Sequence, residues 1–358
     1  MRALLTIDLA AIRANWRALA ERVAPAECGA VVKADAYGLG LDRVAPALRR
    51  AGAGTFFTAL IEEADAAREA VGPGPAIYAF NGAATTPEFA LAAARGLRPL
   101  LNDPGQVAAA RAFAAEAGRP TSCGLQLDSG MNRLGLEPAE LAAMLDDPQG
   151  LEGLEVALVM SHLACADEAG HPMNAAQREA FEAMTGHPRL AGIPRSLSAT
   201  GGALLGADYA YDLVRPGIGL YGGHPFAEAR PVVAVQAPVI QVRDVSEGET
   251  VGYGADWRAP RPSRVATVAA GYADGLIRAM GGRAAARWRG RALPLIGRVS
   301  MDLIALDATE APELVPGEAV ALLDAAQGVD ALAEAAGTIG YEILTSLGAR
   351  YARRYEAG

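Results

Sequence analysis

Gly29-Ala30-Val31-Val32-Lys33-Ala34-Asp35-Ala36-Tyr37-Gly38 is an extended apolar run that gives way to a turn, and it sets the pattern for most of the chain. Short β-prone runs recur at 29–34, 55–60, 76–80, 98–102, 123–128, 155–162, 196–200 and 213–221. Between them lie Ala-rich segments with charges at helical spacing, at 9–22, 41–51, 62–71, 104–117, 138–145 and 173–185. Asp8 before Leu9 and Asp103 before Pro104 stand where helix caps belong. The class is α/β, and eight such units within residues 1–225 predict a (β/α)8 TIM-type barrel. In a barrel of this kind reactive groups gather at the C-terminal ends of the strands, which is where Lys33 stands.

The texture changes near residue 225. From Pro231 the chain reads Val232-Val233-Ala234-Val235-Gln236-Ala237-Pro238-Val239-Ile240-Gln241-Val242, an alternating pattern that predicts antiparallel strands. A second, mostly β domain is expected over 226–358, with helical elements near 328–336 and 341–353. The 358 residues exceed what one core usually holds, which agrees with two domains.

Composition excludes several classes of function. A net charge of −9 argues against a nucleic-acid or anionic-membrane surface as the main partner. The arginine clusters at 258–264 and 283–291 are flanked by Pro or Gly and predict solvated loops or hairpins. Cys28, Cys123 and Cys165 are too few and too scattered for a disulfide framework or a spaced zinc site, so no metal is expected and a reducing compartment is. No run reaches the roughly 18 apolar residues of a membrane span, and the N-terminus lacks a secretory pattern. The expectation is a cytoplasmic protein.

Lys33 is the only lysine; the other 31 of the 32 basic residues are arginine. Arginine serves equally well as a solvated charge but stays protonated, whereas a desolvated lysine can lose its proton and attack a carbonyl. Arg133, in Leu127-Asp128-Ser129-Gly130-Met131-Asn132-Arg133-Leu134-Gly135, follows a strand end on a glycine-bearing loop, a natural partner for a carboxylate or else a surface arginine in a turn. His162 ends a strand in Met160-Ser161-His162-Leu163-Ala164, where an ordinary core histidine would also fit. In Ser198-Ala199-Thr200-Gly201-Gly202 the small residues allow backbone N–H groups to approach a phosphate.

Taken together, these segments resemble the alanine racemase family of pyridoxal-phosphate enzymes, from the N-terminus to about residue 355. The resemblance implies that Lys33 is the cofactor-binding lysine and that Tyr37 helps hold the cofactor phosphate. It implies that Arg133 lies beside the substrate and that His162 lies between the cofactor ring and a second base. In Val214-Arg215-Pro216-Gly217-Ile218-Gly219-Leu220-Tyr221-Gly222, it places Arg215 at the pyridine nitrogen, with the Gly217 and Ile218 N–H groups and the Thr200 hydroxyl on the phosphate. Ala270-Gly271-Tyr272-Ala273-Asp274-Gly275 matches the catalytic-tyrosine motif. Gly297-Arg298-Val299-Ser300-Met301-Asp302 matches the substrate-carboxylate loop, with the Met301 N–H as donor. Tyr341 is implied as a further phosphate contact.

The chain departs from the family pattern at several places: Leu39 for histidine, Gln126 for a lysine that is commonly carbamylated, Ala199-Thr200 for Asn-Ser, Ser300 for cysteine and Gly340 for asparagine. Arg350-Tyr351-Ala352-Arg353 keeps two arginines but lacks the Val-Pro between them. Racemisation needs an acid/base group on each face of a planar carbanion. The expected pair is Lys33 and Tyr272, acting on alanine in a homodimer whose sites are shared, and supplying D-alanine for peptidoglycan. The other readings are a racemase of serine or a larger amino acid, a single-domain pyridoxal-phosphate homeostasis protein, and a decarboxylase. Arg215 speaks against the last, and the residues after 225 speak against the single-domain protein.

Overall fold

Parallel strands cannot be joined by tight turns; they need crossovers, and this chain supplies a helix for most of them. The computed structural model describes residues 2–357 and divides into two units. One comprises Arg13–Ala36 and Gly40–Leu220. In it, Ala30–Val31, Thr55–Thr58, Ala76–Ala79, Arg98–Leu101, Thr121–Gln126, Leu154–Met160 and Arg195–Ser196 form a parallel sheet in sequence order. A separate two-stranded parallel pair joins Leu213–Val214 to Glu27–Cys28. The Asp212 N–H donates to the Arg195 carbonyl at 3.1 Å, and the Arg215 N–H to the Ser198 carbonyl at 2.8 Å. The Gly29 and Val31 N–H groups donate to Val214 and Pro216 at 2.9 and 3.0 Å. All four residues of Thr55–Thr58 are buried, as strands covered on both faces should be.

Each predicted strand position carries a strand, but the first and the last two are much shorter than the sequence suggested: 29–34 keeps only Ala30–Val31, and Lys33–Gly38 is helical. At 196–200 the strand stops at Ser196, and Thr200–Leu204 is helical. At 213–221 it stops at Val214, with a 3-10 turn at Ile218–Tyr221. The polar and glycine-bearing residues that end these strands turn the backbone away from the ladder. The helices open as their caps require: the Asp8 carboxylate accepts from the Ala10 and Ala11 N–H groups, and Asp103 from Gln106. A helix not foreseen, Thr86–Arg95, starts at a reciprocal cap in which the Glu88 carboxylate accepts from the Thr85 N–H at 2.9 Å.

The other unit contains the residues up to Ile12, Tyr37–Leu39 and the chain from Tyr221 on. Its eight-stranded sheet runs Ser263–Val268, Ile304–Asp307, Arg291–Ile296, Ala285–Trp288, Ala319–Leu323, Val233–Val245, Leu4–Asp8, Ala352–Glu356. The long strand bends at a register shift between Val239 and Gln241 and pairs with Ser263–Val268 as well. Leu4–Asp8, expected with the residues of the barrel, lies instead in this sheet; Leu5 and Ile7 alternate into its core while Leu4 and Thr6 do not. The arginine-rich stretch 283–291 is a hairpin, turned at Arg289 and Gly290 with φ 47° and 83°. The helix expected over 341–353 ends at Ser346, after which the chain passes Gly348 and enters the strand Ala352–Glu356. Among the described residues no helix is long and apolar enough to cross a membrane.

Candidate active site

The run that ends in Lys33 is tied on both sides. The Val31 N–H donates to the Pro216 carbonyl at 3.0 Å and the Val32 N–H to Phe57 at 2.8 Å. The chain then winds the wrong way. Ala34, Asp35, Ala36 and Tyr37 have φ of 52°, 55°, 52° and 58°, a left-handed helical turn without glycine until Gly38. Each such residue costs about 1–2 kcal/mol against the right-handed form, so neighbours must hold the turn. The Ala36 N–H donates to Val32 at 2.9 Å, and the Asp35 carboxylate accepts from Leu41 at 2.7 Å. The Lys33 amine lies 5.5 Å from the centre of the Phe80 ring. Its pKa is held below the ordinary lysine value, first by burial and then by the positive charge of Arg133 and, more weakly, Arg215, while Glu63 pulls the other way.

Arg215 is 1% exposed and carries a charge into the interior. Its guanidinium donates to the Ser196 hydroxyl, to the Ser161 carbonyl at 2.7 Å and to the Leu197 carbonyl at 3.4 Å, with His162 Nδ1 at 3.5 Å. These partners are neutral, and burial lowers its pKa to about 9, so it remains a cation at neutral pH. His162 is pushed down to about 3 by burial and then by Arg215, Arg133 and Lys33. It is therefore neutral, and the ordinary core histidine and the functional one are both consistent with that state.

Arg133 is exposed and makes no hydrogen bond or ion pair with a described residue. The loop that carries it is nevertheless fixed. The Asp128 carboxylate accepts from the Gly130 and Asn132 N–H groups at 2.8 and 3.1 Å, and the Ser129 and Ser161 hydroxyls meet at 2.7 Å. Gln126, 5% exposed, donates its amide to the Leu134 carbonyl at 3.1 Å. At Gly135, with φ 127°, a Cβ would come 2.6 Å from the Leu127 carbonyl carbon, so only glycine closes this loop.

Thr200 is buried, and its hydroxyl oxygen accepts from the Gly217 N–H at 3.1 Å and from the Gly219 N–H at 3.2 Å. Two acceptor positions are thereby filled, which leaves the hydroxyl proton to be donated elsewhere. The Gly217 N–H expected on a phosphate is engaged here by Thr200, beside the buried Ile218.

In the other unit Tyr37 is buried and its ring lies 4.5 Å from that of Tyr221 and 6.0 Å from that of Tyr341. Burial raises the Tyr37 phenol, so it acts as a donor rather than a phenolate. Tyr272 and Met301 sit together on adjoining loops. The Tyr272 N–H donates to the Ser300 carbonyl and the Ala273 N–H to the Met301 carbonyl, each at 3.0 Å. Asp274, 5% exposed, accepts from the Gly271 N–H at 2.9 Å and pairs with Arg350 at 3.1 Å, while Arg350 also holds Asp302 at 2.6 Å. The side chains of Tyr272 and Met301 remain 44% and 54% exposed.

Family models of alanine racemase match the chain at both ends: the N-terminal domain over residues 7–225 and the C-terminal domain over 232–355. The chain belongs to the alanine racemase family. The alanine racemase of Dinoroseobacter shibae is 56% identical over 99% of both sequences. The crystal structure of alanine racemase from Bartonella henselae with covalently bound pyridoxal phosphate superposes with a TM-score of 0.94 at 39% identity, covering 99% of this chain and 100% of that one. The biosynthetic alanine racemase of Pseudomonas aeruginosa gives 0.91 at 39% identity, covering 99% of each.

Several departures from the alanine racemase pattern have local causes. Leu39 is fully buried, an apolar core position here. At Gly340 a Cβ would come 2.6 Å from the Asp330 carboxylate, which is occupied in accepting the His224 N–H at 2.9 Å. An asparagine there would displace it. Nothing in the structure explains Ala199 or Ser300. The sequence did not single out Tyr221, Ser161, Ser196 or Glu63, nor the pairing of Asp274 with Arg350, although Arg350 itself was noted. Only Glu63 carried a local signal, the acid in the first turn of a helix; the others act through contacts distant in sequence.

Proposed function

We propose that this chain is a pyridoxal-phosphate-dependent alanine racemase that interconverts L- and D-alanine. The observation that carries the reading is one lysine in the whole chain, desolvated, depressed in pKa and neighboured by the Arg133 and Arg215 charges. Those residues fit the cofactor: an amine able to lose its proton, a buried guanidinium and a Thr200 hydroxyl with its proton free to donate. Lys33, Tyr37, His162, Thr200, Arg215, Ile218 and Tyr341 would hold it, with Gly217 acting through the Thr200 hydroxyl that its N–H meets. When bound, pyridoxal phosphate supplies an electron sink for the pair left by a broken Cα–H bond.

The protein's share is to move a proton on each face of Cα. The lowered pKa of Lys33 raises its neutral fraction, so its amine takes or returns the proton on one face. The Tyr272 phenol serves the other. Arg133 and the Met301 N–H bind the substrate carboxylate, which orients Cα between the two bases. Arg215, a buried cation, would disfavour protonation of a ring nitrogen held near it by like-charge repulsion and so limit side reactions.

The same reading includes a closed (β/α)8 barrel within residues 1–225. The hydrogen bonds that join residues 212–216 to Arg195 on one edge of the seven-stranded sheet and to Val31 on the other support it. The mostly β domain over 226–358 would also take the strand Leu4–Asp8. We place Tyr272 and Met301 in a homodimer in which each site draws its barrel from one protomer and its second domain from the partner, in keeping with their exposure in the single chain. The reading includes a cytoplasmic enzyme supplying D-alanine for peptidoglycan, which membership of the alanine racemase family supports. The test is a D-amino-acid oxidase assay across a panel of L-amino acids, with borohydride used to fix the cofactor to the protein. D-Alanine should form, and the label should map to Lys33. Lys33→Arg should show neither, because a guanidinium cannot replace the amine.

A further inference from the structure

We propose that Glu63 is a positioning residue for Lys33, its one carboxylate tying the amide that follows the lysine to the end of the neighbouring strand and so holding the left-handed turn. One carboxylate oxygen accepts the Ala34 N–H at 2.8 Å. The other accepts the Ala59 N–H at 2.8 Å and the Leu60 N–H at 3.3 Å, just beyond the strand Thr55–Thr58. Glu63 lies in the first turn of the helix Ile61–Val71, so the helix fixes the carboxylate while the carboxylate fixes the turn. Ala34 is the first residue of the turn with positive φ, and an N–H in that strained conformation needs a partner to stay there. A helix cap alone would need the Ala59 and Leu60 contacts but not the third, which reaches across to the segment bearing the lysine.

The same carboxylate is the anion acting on the Lys33 amine against the cations Arg133 and Arg215. Glu63 therefore sets both where the amine stands and how far its proton is loosened. This rests on the reading of Lys33 as the cofactor-binding lysine, and the experiment separates the two claims.

The full-length chain is prepared with 13C-labelled lysine. Its single Lys33 Cε signal is followed against pH after removal of the cofactor, and pyridoxal phosphate affinity is measured separately by fluorescence. In Glu63→Gln the midpoint should fall by about half a unit or more, because a counter-charge has gone. The cofactor should bind about tenfold more weakly as the turn relaxes. Glu62→Gln, on the exposed side of the same helix turn, should change neither. A folded Glu63→Gln with the wild-type midpoint and affinity would overturn the proposal and leave Glu63 a helix cap. Should that variant not fold, Glu63→Asp keeps the charge but is too short to bridge both partners. It should lose affinity, and wild-type affinity would equally overturn the proposal. A wild-type midpoint at the ordinary lysine value would count against the functional reading itself, while a depressed midpoint indifferent to residue 63 would count only against Glu63.

Discussion

The segment around Lys33 and the loops around Tyr272 hold the two proposed acid/base side chains by opposite means. Lys33 is partly buried next to a left-handed turn, where desolvation and the Arg133 and Arg215 charges act on its amine. Tyr272 and Met301 leave their side chains in solvent, and it is the backbone beneath them that is pinned, by Ser300, Asp274 and Arg350. An interior can tune a proton affinity because it removes water. An exposed loop cannot do so by itself, and gains that only when another surface covers it. The contrast is what the proposed sharing of sites between protomers would require of a folded single chain.

The largest effect should come from separating the halves. Tyr272→Phe is expected to lower racemisation by about 100-fold or more while leaving Lys33 able to exchange the α-hydrogen of one enantiomer, D-alanine, as NMR in heavy water would show. Equal residual exchange with both enantiomers would contradict the division of labour. Lys33→Ala and Tyr272→Phe chains co-expressed with different tags should then complement one another. A hybrid dimer has one intact site of two, so random mixing of inactive parents should restore about a quarter of wild-type activity. A purified hybrid no more active than its parents would refute a site shared between protomers.

A smaller effect tests how the exposed half is held. Asp274→Asn keeps the shape but loses the charge facing Arg350 and one acceptor for the Gly271 N–H or for Arg350. Because Asp274 is buried, stability should fall by about 1–3 kcal/mol in chemical denaturation. The rate constant kcat should fall by about tenfold as Tyr272 is misplaced. Unchanged kcat in a destabilised protein would show that the backbone network supports the fold and not the tyrosine.

The smallest effect is an absence of titration. His162, held near 3 by burial and the surrounding cations, should bind no proton between pH 5 and 8, so its ring signals in the NMR spectrum should not move there. The sign follows from the shift: a histidine depressed in the folded chain gains its proton on unfolding, so this group destabilises the fold only as pH falls through its unfolded value toward the folded one. A His162 signal that titrates near neutrality would mean that water reaches the ring and that the buried half resembles the exposed one more than its geometry suggests.

Much of this was written in local pattern. The eight strand positions, the caps at Asp8 and Asp103 and the change of texture near residue 225 follow from periodicity and turn chemistry, which act over a few residues. Lys33 stood out because a single lysine among arginines is a chemical choice visible in composition. Tertiary structure decided what depends on partners far along the chain. It put Leu4–Asp8 beside Val233–Val245, because a short strand takes its sheet from whichever edge buries Leu5 and Ile7. It turned Thr200–Leu204 into a helix, and the Thr200 hydroxyl toward Gly217 and Gly219. It wound Ala34–Tyr37 left-handed against the preference of every residue in it, which only contacts such as Glu63 can maintain. Local sequence sets which conformations are cheap, and the packed chain alone decides where an expensive one is held.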